Sequence, residues 1–385
     1  MTVAITTSDA GVKQRFDRLL AAMSDPSENG TGRRVADIRI GLVQAGPPGT
    51  SGALVDLWLD GSKVLPWASP PACEDRVLSW INRWVLDGEP ELVHLHAGMV
   101  SRQGVGVLIV GPSGAGKSTL VAHLVRSGWV YHSDEMVALD PHDPLMARAF
   151  CRPPTLKEGS WPLFAELPTV TDGSSRGVVH DRLHIPPDEL GPLSSLDSSA
   201  VGAVVFLSAE GSAEISPIRP SEAVTRCVAE TLDLGRIGVT GMGALVRLIT
   251  NTQLYRLGLC ELDRAAALLS VLPEGRPSPG IEPAWELLPE DPTAADQVGG
   301  PILPRTPLHR ASRAASWALP DGAVVYDPAG DEVTVLNPSA AEIWRRLDGA
   351  SAAELAQLFV GGDAGAESAI LATLVALHDQ GLVTT

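Results

Sequence analysis

The nine residues Gly111-Pro112-Ser113-Gly114-Ala115-Gly116-Lys117-Ser118-Thr119 constrain the fold more than any other stretch of this 385-residue chain. They follow an unbroken apolar run, Val105 to Val110, and precede an amphipathic segment, Thr119 to Ser127. A buried strand, a glycine-rich turn and a helix in that order turn successive backbone N–H groups into one concavity at the positive end of the helix. An anion of phosphate size fits such a cradle. The GxxxxGK[ST] spacing adds a lysine for the outer phosphates and a hydroxyl for the magnesium that bridges them.

The stretch therefore reads as a site for a nucleoside triphosphate, ATP with GTP as the alternative, together with Mg2+. Gly111, Ser113, Gly114, Ala115, Gly116, Lys117, Ser118 and Thr119 form the cradle, and Ser118 is the metal ligand. From Leu92 onward, apolar strands (Trp129 to His132, Ala200 to Leu207) alternate with helical segments (Ser221 to Leu234, Met242 to Ile249). That alternation predicts an α/β core over 91–272. Upstream, an amphipathic helix (Val12 to Met23), two short strands (Asp37 to Val43, Ala53 to Leu59) and a second helix (Cys73 to Leu86) make 1–90 an α+β region. It could complete the core or mediate a homo-oligomer. Residues 273–301 are rich in Pro, Gly and acidic residues and read as a linker. A fresh unit fills 302–385, with strands Ser316 to Leu319, Ala323 to Asp327 and Glu332 to Leu336 before helices that start near Ser339, Ser351 and Ala366.

Charge and composition narrow the partners. A formal charge of -17 argues against nucleic acid as the main partner, since binding phosphate backbones needs basic surface. No apolar stretch approaches the length of a membrane span and no secretory signal opens the chain, so the expected location is cytoplasmic. Cys73, Cys151, Cys227 and Cys260 lack the close pairs of a zinc or redox site and read as reduced and structural.

Phosphoryl transfer to a hydroxyl needs a base and a second carboxylate for the metal. Asp134 and Glu135, at the end of the strand after the loop helix, are the candidates for this pair. The segment His96 to Asp140 resembles the catalytic core of bacterial HPr serine kinase/phosphorylase, in which a histidine precedes the loop and paired acids follow it. The resemblance implies that His96 lies near the phosphates, that Lys117 and Asp134 are catalytic, with Asp134 as the base, and that Glu135 is its neighbour at the metal. Arg152 to Ser160 is similar to a segment of HPr-kinase-like enzymes from peptide-modifying gene clusters, which implies that Arg152 and Lys157 approach the phosphates. The glycine-rich signature with its arginine that HPr kinases carry is not found, which implies an acceptor other than HPr.

The run Val333 to Trp344, followed by Leu347-Asp348-Gly349, resembles the PqqD family of small winged-helix-like domains that hold the leader of a ribosomally made precursor peptide. The strand Val333, Thr334, Val335, Leu336 could accept such a leader as one more strand, beside a groove drawn from Leu371, Leu374, Val375 and His378. Together the two resemblances imply a precursor-peptide kinase, with other enzymes of the same pathway as further partners. The alternatives are a leader-binding chaperone that only senses nucleotide, and a kinase of another protein or small molecule.

Overall fold

A computed structural model of the chain describes residues 3–23, 38–45, 54–171, 181–208, 214–258, 261–272, 282–289, 301–360 and 364–385. At its centre is a ten-stranded mixed sheet. The strand Ser198–Ser208 is its longest member and pairs parallel with Val105–Val110 on one side and with Gln253–Gly258 on the other. Both faces of Val105–Val110 and of most of Ser198–Ser208 are apolar and buried, as a sheet covered by helices on both sides requires. Outside Val105–Val110 lies its hairpin partner Ala97–Arg102, then Val130–Ser133, each antiparallel to its neighbour. Two reversals bring Val130–Ser133 back into the direction of the loop strand. Its end, with Asp134 and Glu135, therefore emerges on the loop's edge of the sheet, although the two strands are not neighbours.

The helix Lys117–Arg126 buries Leu120, Val121, Leu124 and Val125 against one face of this sheet. The helix Leu234–Asn251 covers the other with Met242, Leu245, Val246 and Ile249. The helical pattern over Ser221 to Leu234 resolves into a helix that ends at Ala229 and a two-residue strand, Thr231–Leu232, paired with Val93–Leu95. Asp233, at φ 69°, then turns the chain into the next helix.

The N-terminal unit is a four-stranded sheet, Val3–Thr7, Ile38–Gln44, Val55–Leu59 and Ser62–Ala68, with the helices Ala10–Leu19 and Pro70–Gly88 packed on it. Two of these strands escape the sequence pattern. Val3–Thr7 is five residues long, and Ser62–Ala68 is a mostly exposed edge strand carrying Pro66, a residue tolerated at an edge because it has no N–H to donate.

The largest departure from expectation concerns the linker. Glu286–Leu287, inside the stretch read as connecting chain, pairs with Ala315–Leu319, and Trp317 Nε1 donates to Glu286 Oε1 at 2.7 Å. Residues 282–289 thus belong to the C-terminal sheet, while 273–281 and 290–300 lie outside the described residues. The C-terminal unit is also not set apart from the core. Alternate residues of its strands point to opposite faces. Ala323, Val325 and Leu336 pack with Ile343 and Trp344 of its own helix Pro338–Arg346, whereas Trp317, Val324 and Tyr326 pack with Met242 and Leu245 of the central domain.

Asp321, in the hairpin turn of the C-terminal unit, accepts hydrogen bonds from Ser221 N at 3.1 Å and Ser221 Oγ at 2.5 Å. It acts as the missing side-chain cap of the helix Pro220–Ala229. Asp321→Ala is expected to destabilise the chain by about 1 kcal/mol, the usual cost of a lost cap. Urea unfolding of the full chain, followed by tryptophan fluorescence, measures it.

Candidate active site

The cradle forms where the strand Val105–Val110 gives way to the helix Lys117–Arg126. Gly114 and Gly116 adopt φ of 86° and 93°, a left-handed backbone that glycine takes without strain. Lys117 is 7% exposed, and its Nζ donates to the carbonyls of Gly111 and Pro112. Burial lowers the pKa of its ammonium group, an effect that Glu230, Asp134 and Glu135 oppose. Thr119 Oγ1 lies 2.7 Å from Ser160 Oγ, which ties the loop helix to the segment beyond Lys157.

The cradle opens into a cavity of about 360 Å³. Its walls include Ser113, Gly114, Gly116, Lys117, Ser118 and Thr119 of the loop, with His96, Glu135, Arg152 and Lys157 from the residues singled out in sequence. Gly111 and Ala115 lie within the same turn, where a Cβ on Gly111 would meet the Leu207 and Ala115 side chains at 3.2 and 3.4 Å. The fold thus gathers the proposed phosphate-binding residues about one space.

The two acids are placed differently from each other. Asp134 is 0% exposed, neither carboxylate oxygen has a hydrogen bond among the described residues, and it does not line the cavity. Burial, with Glu135 next to it, raises the Asp134 carboxyl above its ordinary range, while Ser118, Arg152 and the Thr155 amide pull it down. Glu135 is 43% exposed, lines the cavity and holds φ 76°. That conformation costs a non-glycine residue about 1–3 kcal/mol and concentrates at functional sites. Sequence reading made Asp134 the base and Glu135 the metal ligand; Glu135 borders the cavity directly, while Asp134 is enclosed beside it.

Arg152 is 5% exposed, with Nε and Nη1 lacking hydrogen-bond partners among the described residues and Nη1 3.9 Å from Glu135 Oε2. Its backbone carbonyl accepts from the buried Tyr131 hydroxyl. Burying a guanidinium with open donors is costly unless an anion meets them. His96 lies between two carboxylates, with Nδ1 2.8 Å from Glu230 Oε2 and Nε2 3.9 Å from Glu135 Oε1.

Sequence reasoning missed Glu230 and the whole far wall. Asp75, Ser79 and Asn82 of the helix Pro70–Gly88 line the cavity with Arg182 and His184 of the strand Arg182–His184. His184 bridges Asp75 Oδ1 at 2.6 Å and Thr155 Oγ1 at 3.0 Å, fastening the N-terminal helix to the rim. No local pattern announces these residues, since the bridge joins positions 109 apart.

On the C-terminal unit, Glu332–Leu336 is an edge strand paired on one side with Gly322–Asp327. Val333 packs partly on the central core, and Thr334 Oγ1 donates to Gln380 Oε1 at 3.1 Å. Val335 is 39% exposed and borders a groove with Ile218, Glu222 and Thr225. The Leu336 and Leu374 side chains are buried in the unit's own core, so neither faces a groove. His378 is largely enclosed, with Nε2 lacking a hydrogen bond among the described residues.

Magnesium prefers one or two carboxylates, phosphate oxygens and water, not a cage of protein ligands. No cluster of three or more His, Cys, Asp or Glu suited to a metal occurs among the described residues. Ser118 in the cavity wall, Glu135 beside it and the unsatisfied Asp134 oxygens behind fit that sparse preference. Burial pushes the Cys73 and Cys227 thiols up to about 12 and raises that of Cys151, so these cysteines stay protonated and inert, while Cys260 lies outside the described residues. No described helix is long and apolar enough to cross a membrane.

Because the folded-state pKa of Asp134 is raised, its contribution to stability is present below the unfolded value of 3.8 and is lost as pH rises through the folded value. Asp134→Asn is therefore expected to stabilise the protein at pH 7 by on the order of 1 kcal/mol, the usual size of such a gain, while weakening magnesium-dependent nucleotide binding. Thermal unfolding from pH 3.5 to 8 and calorimetric titration with MgATP measure both, and a gain that does not shrink toward the lowest pH would exclude the electrostatic cause.

Residues 322–383 match the sequence profile of the family described as Coenzyme PQQ synthesis protein D (PqqD). Among solved structures, the chain is similar to the Hpr(Ser) kinase/phosphatase from Coxiella burnetii at 10% identity, over 46% of this chain and 91% of that one, with a TM-score of 0.25. No curated protein sequence matches the chain. The molecule is thus an α/β protein, built around a phosphate loop, that carries a PqqD-like unit at its C-terminus.

Proposed function

We propose that this chain is an ATP-dependent kinase of a Ser or Thr hydroxyl in a ribosomally made precursor peptide, recruited by its leader through the C-terminal unit. One observation carries the catalytic half: a buried guanidinium with open donors and a strained, exposed carboxylate share one cavity with the phosphate loop. A protein that only sensed nucleotide would need the loop but no strained acid beside it. The peptide half is supported by the PqqD match and by the edge of Glu332–Leu336, unpaired among the described residues, which can take an extended peptide as one more strand.

In this reading, the loop and Lys117 hold the β- and γ-phosphates. Arg152 and Lys157 meet the charge on the transferred group, Arg152 through a planar fork and Lys157 as a point charge. Ser118, backed by Asp134, and the carboxylate of Glu135 would hold Mg2+, which supplies charge neutralisation at the phosphates when bound. Glu135 is also the group that takes the proton from the acceptor hydroxyl as its oxygen attacks the γ-phosphorus. Asp75, Ser79 and Asn82 bound the side of the cavity from which the acceptor enters. The leader keeps that acceptor close, so a weakly bound hydroxyl still meets the site at high effective concentration.

Incubating the chain with ATP, Mg2+ and a co-encoded precursor peptide is expected to add phosphate to one Ser or Thr, detected by mass spectrometry. Glu135→Gln should lower kcat by roughly 10²- to 10⁴-fold, with a loss in nucleotide affinity no larger than that of Asp134→Asn. Full peptide modification by Glu135→Gln would assign the base elsewhere, and nucleotide binding by the wild type without any peptide modification would leave the chain a nucleotide sensor. Val335→Lys should erode the preference for leader-bearing over leaderless peptide, on the order of 10²-fold in the wild type. Turnover of the leaderless peptide should not change.

A further inference from the structure

The edge strand Glu332–Leu336 divides its side chains between two neighbours. Thr334 and Leu336 turn to the C-terminal unit itself, Thr334 to Gln380 and Leu336 to the core with Ile343 and Trp344. Val333 and Val335 turn to the central domain, since their partners on Gly322–Asp327, Tyr326 and Val324, both pack with Met242 and Leu245. On that face, Val335 borders a groove of about 450 Å³. Every other wall residue of the groove belongs to the central domain, among them Ile218, Arg219, Glu222 and Thr225. Residues directly opposite each other on paired strands point to the same face. A residue added opposite Val335 would therefore point toward the central domain's wall, and its neighbours in sequence would point away.

The charges of that wall are unequal. Glu222 accepts from Arg226 Nε at 2.9 Å and from Arg256 Nη2, and Asp321 accepts from Ser221 at the start of the same helix. Arg219 is exposed and makes no ion pair with any described residue. Three guanidiniums thus stand against two carboxylates, in a chain whose formal charge is -17. On so acidic a chain a cation left over beside a groove discriminates between peptides. An acidic side chain is repelled by most of the surface and attracted here.

We propose that the leader site is shared between the two units. An extended leader pairs with Glu332–Leu336 and sends an aspartate or glutamate into the groove beside Val335, where Arg219 of the central domain meets it. The inference rests on the leader recruitment proposed above. It adds the central domain as a second wall and an acidic residue as the mark by which the leader is read.

The test uses the full chain and the leader of the co-encoded precursor, synthesised with a fluorophore at one end, with binding followed by anisotropy. Arg219→Glu should weaken binding by roughly 5- to 20-fold and Arg219→Gln by about 2- to 5-fold, with Arg219→Lys close to the wild type. When the leader's acidic residues are changed to lysine one at a time, one change should restore binding to Arg219→Glu while weakening it to the wild type. That rescue also shows the variant to be folded. Thr225→Cys, oxidised with a series of single-cysteine leaders, should capture one leader position and neither of its sequence neighbours. A wild type that binds no leader removes recruitment and the shared site together. Binding that is lost in Val335→Lys but unchanged in Arg219→Glu keeps recruitment and overturns the shared site, as does a leader in which no acidic position gives rescue. The assay involves no phosphoryl transfer, so a chain without kinase activity is decided by the same binding results.

Discussion

Parallel pairing between Val105–Val110 and Ser198–Ser208 is the constraint on which the rest of the molecule depends. A phosphate loop must leave its backbone N–H groups unpaired, and a chain can do so only where the strand before the loop is anchored by something else. The long neighbour provides that anchor and pairs with Gln253–Gly258 on its far side. Apolar residues on both faces then call for helices above and below. One is the loop helix, and the other presents Met242 and Leu245 to the C-terminal sheet. The cradle, the core and the docking of the last unit follow from one buried strand pair.

The cavity concentrates charge that folding would otherwise avoid. Lys117 and Arg152 are nearly buried, Asp134 is entirely so, and Glu135 sits in a left-handed backbone. Each feature costs stability alone, and such features concentrate at functional sites. The surrounding histidines show the contrast. Burial holds His94 and His132 near 4, so both are neutral and add no charge to the site, and His132 Nε2 is satisfied by Ser101 Oγ at 2.7 Å.

The C-terminal unit is joined to the core by more than a connecting chain. Its sheet is buried on both faces, its first strand lies within the supposed linker, and Asp321 caps a helix whose far end carries Glu230. A peptide held at the edge strand Glu332–Leu336 would thus be presented from a fixed position. Fixed presentation confines the approach of the acceptor more strongly than a flexible tether of equal length, because it removes most of the geometries a tether samples.

What the sequence determined by itself was local. The glycine spacing, the apolar run before it and the lysine and hydroxyl after it dictate a strand, a cradle and a helix, because each needs only its own neighbours. The meander of three strands and the helix capped by Asn337 were legible for the same reason. Tertiary structure decided everything that depends on distant partners. It buried Asp134 and exposed Glu135, adjacent residues of like charge that no local pattern separates. It brought Glu230 to His96 and the N-terminal helix to the rim, and it turned part of an apparent linker into a strand. Burial and long-range pairing are properties of the packed chain, so the site's residues could be nominated from the sequence, but their roles were set by which of them the fold enclosed.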